Sequence, residues 1–132
     1  MKKAYLAISY ANRNQFDKEI NTLNDLFSKK NIELLVFVDK YNFTNHQEKK
    51  MMETAFNEID SCDLLIAELS TKSIGVGIEI GYAFAKKIPV VYLRRKDSEY
   101  STTASGCSSF MIEYNNHNDL QKSIDHYLQS HL

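Results

Sequence analysis

The stretch Leu64-Leu65-Ile66-Ala67-Glu68-Leu69-Ser70-Thr71-Lys72-Ser73-Ile74-Gly75-Val76-Gly77-Ile78-Glu79-Ile80-Gly81-Tyr82-Ala83 decides the fold. It opens on a short, unbroken apolar run, the pattern of a strand buried on both faces, and such strands belong to parallel sheets. A second apolar run, from Ile80 to Ala85, reads as a buried helix. Between the two lie small residues and one carboxylate, Glu79. A carboxylate at the start of an otherwise apolar helix needs a physical reason.

The same alternation extends in both directions. Strands are predicted over residues 3–9, 32–38, 63–67 and 88–93, with a short edge strand over 110–113. Helices are predicted over 13–30, 47–60, 75–87 and 117–130. The first carries Phe16, Ile20, Leu23 and Phe27 at helical spacing, and the last carries Leu120, Ile124, Tyr127 and Leu128. Pro89 suits the start of its strand, where a missing N–H does least harm. Residues 39–45 and 94–109 read as polar loops. Strands separated by helices give an α/β fold, an open five-stranded parallel sheet of flavodoxin-like or Rossmann-like type with helices on both faces. Strand order is not legible in a single sequence. With no internal repeat, linker or low-complexity segment, residues 1–132 are expected to form one domain.

Composition narrows the function classes. The chain is 43% hydrophobic and 25% charged, so it can build an ordinary globular core. A net charge of −1 supplies no field for a nucleic-acid polymer or a membrane surface. Any phosphate must then be held by local donors. The two cysteines, Cys62 and Cys107, have no CxxC spacing, and the four histidines show no ligand spacing, so no metal site is expected. The apolar start, Tyr5 to Ile8, is too short for a signal peptide, and no run reaches the length of a membrane span. A cytoplasmic protein is the expectation.

Ligands of such sheets bind beyond the carboxyl ends of the strands. Four polar segments should gather there: Ser9 to Arg13, Asp39 to Asn45, Glu68 to Glu79, and Arg94 to Gly106. Gly75, Gly77 and Gly81 are spaced G-x-G-x-x-x-G, which is neither a dinucleotide fingerprint nor a P-loop. They imply close backbone approach or tight turns. The amides near 74–78 begin a helix and can receive an anion.

Two readings of Glu79 stand side by side. It is a nucleophile toward an anomeric carbon, kept ionised by the helix dipole, or a first-turn glutamate that only stabilises the helix. Tyr5 and Ser9, four apart on a strand, share a face. Tyr5 is either a core aromatic or the group that orients Glu79, and Ser9 is a cap or a ligand contact. The hydroxyls from Ser98 to Ser105 suit a phosphate or a solvated loop. Arg94-Arg95-Lys96 is a solvated run or extra charge at the rim. Tyr41 and Phe43 stack on a base or pack their loop.

The segment Ala67 to Ala83 resembles the signature of the nucleoside 2-deoxyribosyltransferase superfamily, and within it the 2′-deoxynucleoside 5′-phosphate N-hydrolases. The resemblance spans nearly the whole chain. It implies that Glu79 attacks C1′ of a deoxyribose and that Tyr5 holds Glu79. It implies that Ser9 and Ser73 bind phosphate beside Gly75 and Gly77. Ser101, Thr102 and Thr103 match a loop that reaches the phosphate in a neighbouring subunit, so a homodimer or higher homo-oligomer with composite sites is implied. A small-molecule nucleotide or nucleoside is the implied substrate, with no cofactor. An arginine of that branch falls at Ala11 here, with Arg13 two residues on, and a helical aspartate falls at Ala55. Glu68, Asp39 and Glu58 are then the candidates for protonating the leaving base.

Overall fold

The computed structural model describes residues 1–131. Five parallel strands form one sheet: β1 (Lys3–Ile8), β2 (Glu33–Val36), β3 (Leu64–Glu68), β4 (Val90–Arg95) and β5 (Phe110–Tyr114). Their order is β2-β1-β3-β4-β5. The long helices are α1 (Asp17–Lys29), α3 (Glu48–Asp60), α4 (Ile74–Ala85) and α6 (His117–His131), with short α2 (Phe37–Lys40) and α5 (Thr102–Gly106).

Alternation along β1 sorts the core into two layers. Ala4, Leu6 and Ile8 face α1 and α6, together with Leu64, Ile66, Val91 and Leu93. Tyr5 and Ala7 face α3 and α4, together with Leu65, Ala67, Val90 and Tyr92. The central strands are buried on both faces, which is why they read as continuous apolar runs. Burying one Leu or Ile side chain contributes about 1.5–3 kcal/mol, so these layers dominate the stability.

The structure differs from the sequence prediction at several boundaries. The first helix is divided into a 3-10 turn at Arg13–Gln15 and α1, because Phe16 turns into the core at the junction. The second strand stops at Val36, and Phe37–Lys40 coil into a helical turn. Phe37 then stacks between Tyr5, Tyr41 and Phe43, with centroids 5.9, 5.0 and 6.1 Å away. That aromatic cluster outweighs the strand propensity of Val36 and Val38. The segment predicted as a loop over 94–109 holds the end of β4 and the whole of α5. Two helices end on left-handed residues, Asn31 after α1 and Lys87 after α4. The amides that follow return to the helix, Ile32 to the Phe27 carbonyl and Ile88 to the Ala83 carbonyl, both at 2.9 Å.

Candidate active site

The chain leaves β1 for β2 on one side and then crosses to β3 on the other, so the strand order reverses between β1 and β3. A crevice opens at such a switch point, outside the carboxyl ends. The Asn12 amide ties the two exits together, donating to Ser9 Oγ and Thr71 Oγ1, each at 3.3 Å. Ser73 caps α4, its Oγ accepting the Val76 N–H at 3.3 Å. A capping serine keeps its own hydroxyl hydrogen for another acceptor.

Glu79 lies beyond the first turn of α4, on its buried side. The fully buried Tyr5 hydroxyl donates to Glu79 Oε2. Burial pushes the Glu79 carboxyl up to about 7, and the Tyr5 hydroxyl pulls it the other way. Burial, and then the charge of Glu79, raise the Tyr5 phenol far above its ordinary value. The expected dipole-favoured carboxylate is therefore corrected: the group sits too deep for the helix terminus to dominate. It is divided between acid and carboxylate near neutrality.

Small residues surround this pair. Tyr5 and Ala7 alternate on the α4 face of β1, Ser9 follows just beyond the strand's end, and Ala67 is the neighbour of Ala7 on β3. Helical spacing puts Glu79 on the α3 flank of α4. There Tyr82 stacks on Phe56 with centroids 4.2 Å apart and donates to Asp60 at 2.8 Å. The opposite flank faces α5. A groove of about 350 Å³ runs there, lined by Ser73, Gly77, Ser101 and Thr103 but not by Glu79. The predicted hydroxyls thus gather with one another, across α4 from the carboxylate. Thr102, next in the chain, is exposed.

Gly75 and Gly77 do not answer to any contact within the chain. A Cβ on Gly75 would meet only Ser73 Oγ at 3.9 Å, and one on Gly77 would meet nothing within 4 Å. Both lie in regular helix with negative φ, so neither glycine serves a tight turn or a close approach to another part of the chain. Glycine inside a helix costs up to about 1 kcal/mol relative to alanine, and here nothing inside the chain offsets it. Ile74 and Ile78, close by on the same helix, are 85% and 48% exposed.

The remaining candidates are occupied. Arg13 grips Asp39 through Nε at 2.8 Å and Nη2 at 2.9 Å, and Asp17 through Nη1 at 2.7 Å, so its charge is already compensated. Burial alone would raise Glu58, but Lys40, Tyr41 and Lys3 hold it at about 2, where it carries no proton to give. Glu68 lies on the other face of the sheet, bonded to the Tyr114 hydroxyl and to the Ser70 N–H. Ala55, where the resembling branch has aspartate, is fully buried. Arg94 is bound to Ser98 and Glu113, and Arg95 to Glu19 and Gln15, so neither supplies free charge at the rim. Tyr41 and Phe43 pack on Phe37 and on each other. The sequence reading missed Asn12 as the bridge between strand exits. Its place three residues after Ser9, at the end of a strand, was the available signal.

The sequence pattern of the nucleoside 2-deoxyribosyltransferase family matches residues 4–123. The chain belongs to the nucleoside 2-deoxyribosyltransferase family. Family members are N-glycosidases or deoxyribosyltransferases acting on nucleosides or nucleotides. A Syntrophotalea carbinolica protein bearing the name 2′-deoxynucleoside 5′-phosphate N-hydrolase 1 is 48% identical over 46 residues, 35% of this chain and 32% of that protein. The CMP N-glycosidase of Clostridium botulinum is 27% identical, with a TM-score of 0.74 over 96% of this chain and 99% of that one. The 2-deoxyribosyltransferase of Bacillus psychrosaccharolyticus is 13% identical, with a TM-score of 0.69 over 90% of each chain, a likeness of fold. Among the described residues no helix is long and apolar enough to cross a membrane.

Proposed function

We propose that this enzyme hydrolyses the N-glycosidic bond of 2′-deoxynucleoside 5′-monophosphates. The observation that carries the reading is the buried Tyr5–Glu79 pair beside the switch point of the sheet. The Glu79 carboxylate attacks C1′ through a transition state of oxocarbenium character. The C1′–N bond breaks, its electron pair leaves with the base, and a deoxyribosyl ester of Glu79 forms. Water then adds at C1′ and gives a proton to solvent, matching the proton that the base takes from solvent on leaving, which releases 2-deoxyribose 5-phosphate and restores the carboxylate. Tyr5 holds the attacking oxygen in place. Ser9, Ser73, the amides of Gly75 and Gly77, and Arg13 once released from a carboxylate are the candidate ligands for the sugar phosphate.

A nucleotide is favoured over a nucleoside as substrate because Ser101 and Thr103 present hydroxyl donors, without compensating carboxylates, in an open groove beside α4 from which they can serve a partner's site. The names of two relatives, the CMP N-glycosidase and the deoxynucleoside 5′-phosphate hydrolase, agree with a phosphorylated substrate. The exposed Ile74 and Ile78, next to helical glycines that nothing in the chain covers, suit a second copy packed on α4. In such a homodimer Ser101, Thr102 and Thr103 of one subunit serve the phosphate in the other.

Chromatography of reactions with each deoxynucleotide and deoxynucleoside, with and without a second free base, tests this. Free base with 2-deoxyribose 5-phosphate is the expected product. A new nucleoside in the presence of the second base would assign transfer instead, and binding without any product would assign a sensor.

A further inference from the structure

Tyr92 is fully buried on β4, on the layer that also holds Tyr5, and none of the chemistry above uses it. Its hydroxyl oxygen accepts the Ser101 N–H at 3.1 Å. Its ring stacks on Tyr100, with centroids 6.3 Å apart and planes inclined by 18°. The Arg94 guanidinium lies over the other aromatic of that stack, 5.4 Å from the Tyr100 centroid, and its Nη1 donates to the Ser98 carbonyl at 2.6 Å. Residues 98–101 are thus fastened to β4 from both ends.

The fastening fixes a group that matters beyond it. Ser101 caps α5, its Oγ accepting the Ala104 N–H at 3.1 Å and lying 3.2 Å from Thr103 Oγ1. Both hydroxyls line the groove shared with Ser73. A five-residue helix has little stability of its own, so the direction of these hydroxyls depends on what holds its first turn. The Tyr92 oxygen is the one side-chain atom bonded to the Ser101 amide among the described residues. An amide left unpaired there would seek another acceptor and turn the cap with it.

We propose that Tyr92 is a positioning residue for phosphate recognition: by accepting the Ser101 N–H it aims the Ser101 and Thr103 hydroxyls, without touching the substrate. The proposal rests on the assignment of those hydroxyls to the phosphate of a deoxynucleotide. It concerns binding, not bond cleavage.

Tyr92→Phe removes the oxygen and keeps the ring. It is compared with the wild type and with Ser101→Ala. KM and kcat are measured for a deoxynucleotide and for its deoxynucleoside, and the nucleotide Kd is measured by calorimetry. The expected result is a nucleotide KM and Kd raised about fivefold, the value of one hydrogen bond, with kcat little changed. The ratio of nucleotide to nucleoside kcat/KM falls by the same factor. An unchanged nucleotide KM and Kd in Tyr92→Phe, with Ser101→Ala impaired, overturns the proposal and leaves the phosphate assignment standing. Equal losses on nucleotide and nucleoside overturn it as well, by showing a general structural role. If Ser101→Ala also binds nucleotide normally, the phosphate assignment fails and the proposal with it. A wild type that binds nucleotide but releases no base refutes the hydrolase reading alone, and Kd then decides the role of Tyr92.

Discussion

Tyr5→Phe perturbs the buried pair at the one atom that joins it. The change removes the hydroxyl and keeps the ring that stacks on Phe37. Burial pushes Glu79 up to about 7, and the Tyr5 hydroxyl is the group that opposes it. A hydrogen bond to a charged group is worth about 1.5–3 kcal/mol, equivalent to roughly one to two pH units. With that bond gone, burial acts unopposed and Glu79 ionises higher. At pH 7 about half of the native enzyme carries the carboxylate, against about a tenth to a hundredth of the variant. With the carboxylate as the attacking form in the proposed mechanism, kcat/KM at pH 7 should fall by about five- to fiftyfold, and much of it should return in alkali. The assay is kcat/KM against pH for both proteins with one deoxynucleotide. Its acid limb should move upward by about one to two units. A loss of the same size at every pH, with the midpoint unmoved, would refute the reasoning.

Other perturbations reach different parts of the molecule. The folded state holds the Glu79 proton up to about 7, against an ordinary value of 4.5, so this residue's contribution to stability is full below 4.5 and lost as pH rises through about 7. Glu79→Gln should therefore raise the unfolding free energy in alkali by up to roughly 3 kcal/mol and change it little in acid, as denaturant melts at two pH values will show. The Tyr114 hydroxyl has one hydrogen yet lies between carboxylate oxygens of Glu68 and Glu19, and Glu19 is ion-paired with Arg95. Burial pushes the Glu68 carboxyl upward, against the bonds from Ser70 and Tyr114, so Glu68 is the member of this cluster that burial drives toward the neutral acid. Glu68→Gln reproduces that protonated shape and should abolish the part of the alkaline stability loss that Glu68 causes; an identical pH dependence of Tm in the variant would contradict this. Sedimentation should find the native protein to be the proposed dimer and Ile78→Asp a monomer; an association state unaltered by the substitution would remove α4 from the interface.

The layered α/β fold was legible because each central strand is buried on both faces and α1, α3 and α6 keep their apolar period. Tyr5 could be paired with Glu79 as one of two readings, since strand alternation put Tyr5 on the same face as Ser9. What escaped the sequence has physical causes. The turn at Phe37–Lys40 is imposed by aromatic packing against Tyr5, and no local pattern encodes it. Helix α5 is too short to display a period, and its cap, the Ser101 hydroxyl accepting the Ala104 N–H, shows only in the folded chain. Arg13, two residues past the place where the resembling branch has arginine, is taken up by Asp39 from the next strand exit, a pairing that only folding brings about. Glu68 and Glu58 looked equivalent as acids, yet one is on the wrong face and the other is held down by three donors.

The central claim is that the Glu79 side chain forms and breaks the bond to C1′. The turnover of a deoxynucleotide by Glu79→Ala, measured as free base released, addresses it most directly. The expected result is a loss of about a hundredfold or more with the nucleotide still bound. Base release by Glu79→Ala at the wild-type rate would contradict it.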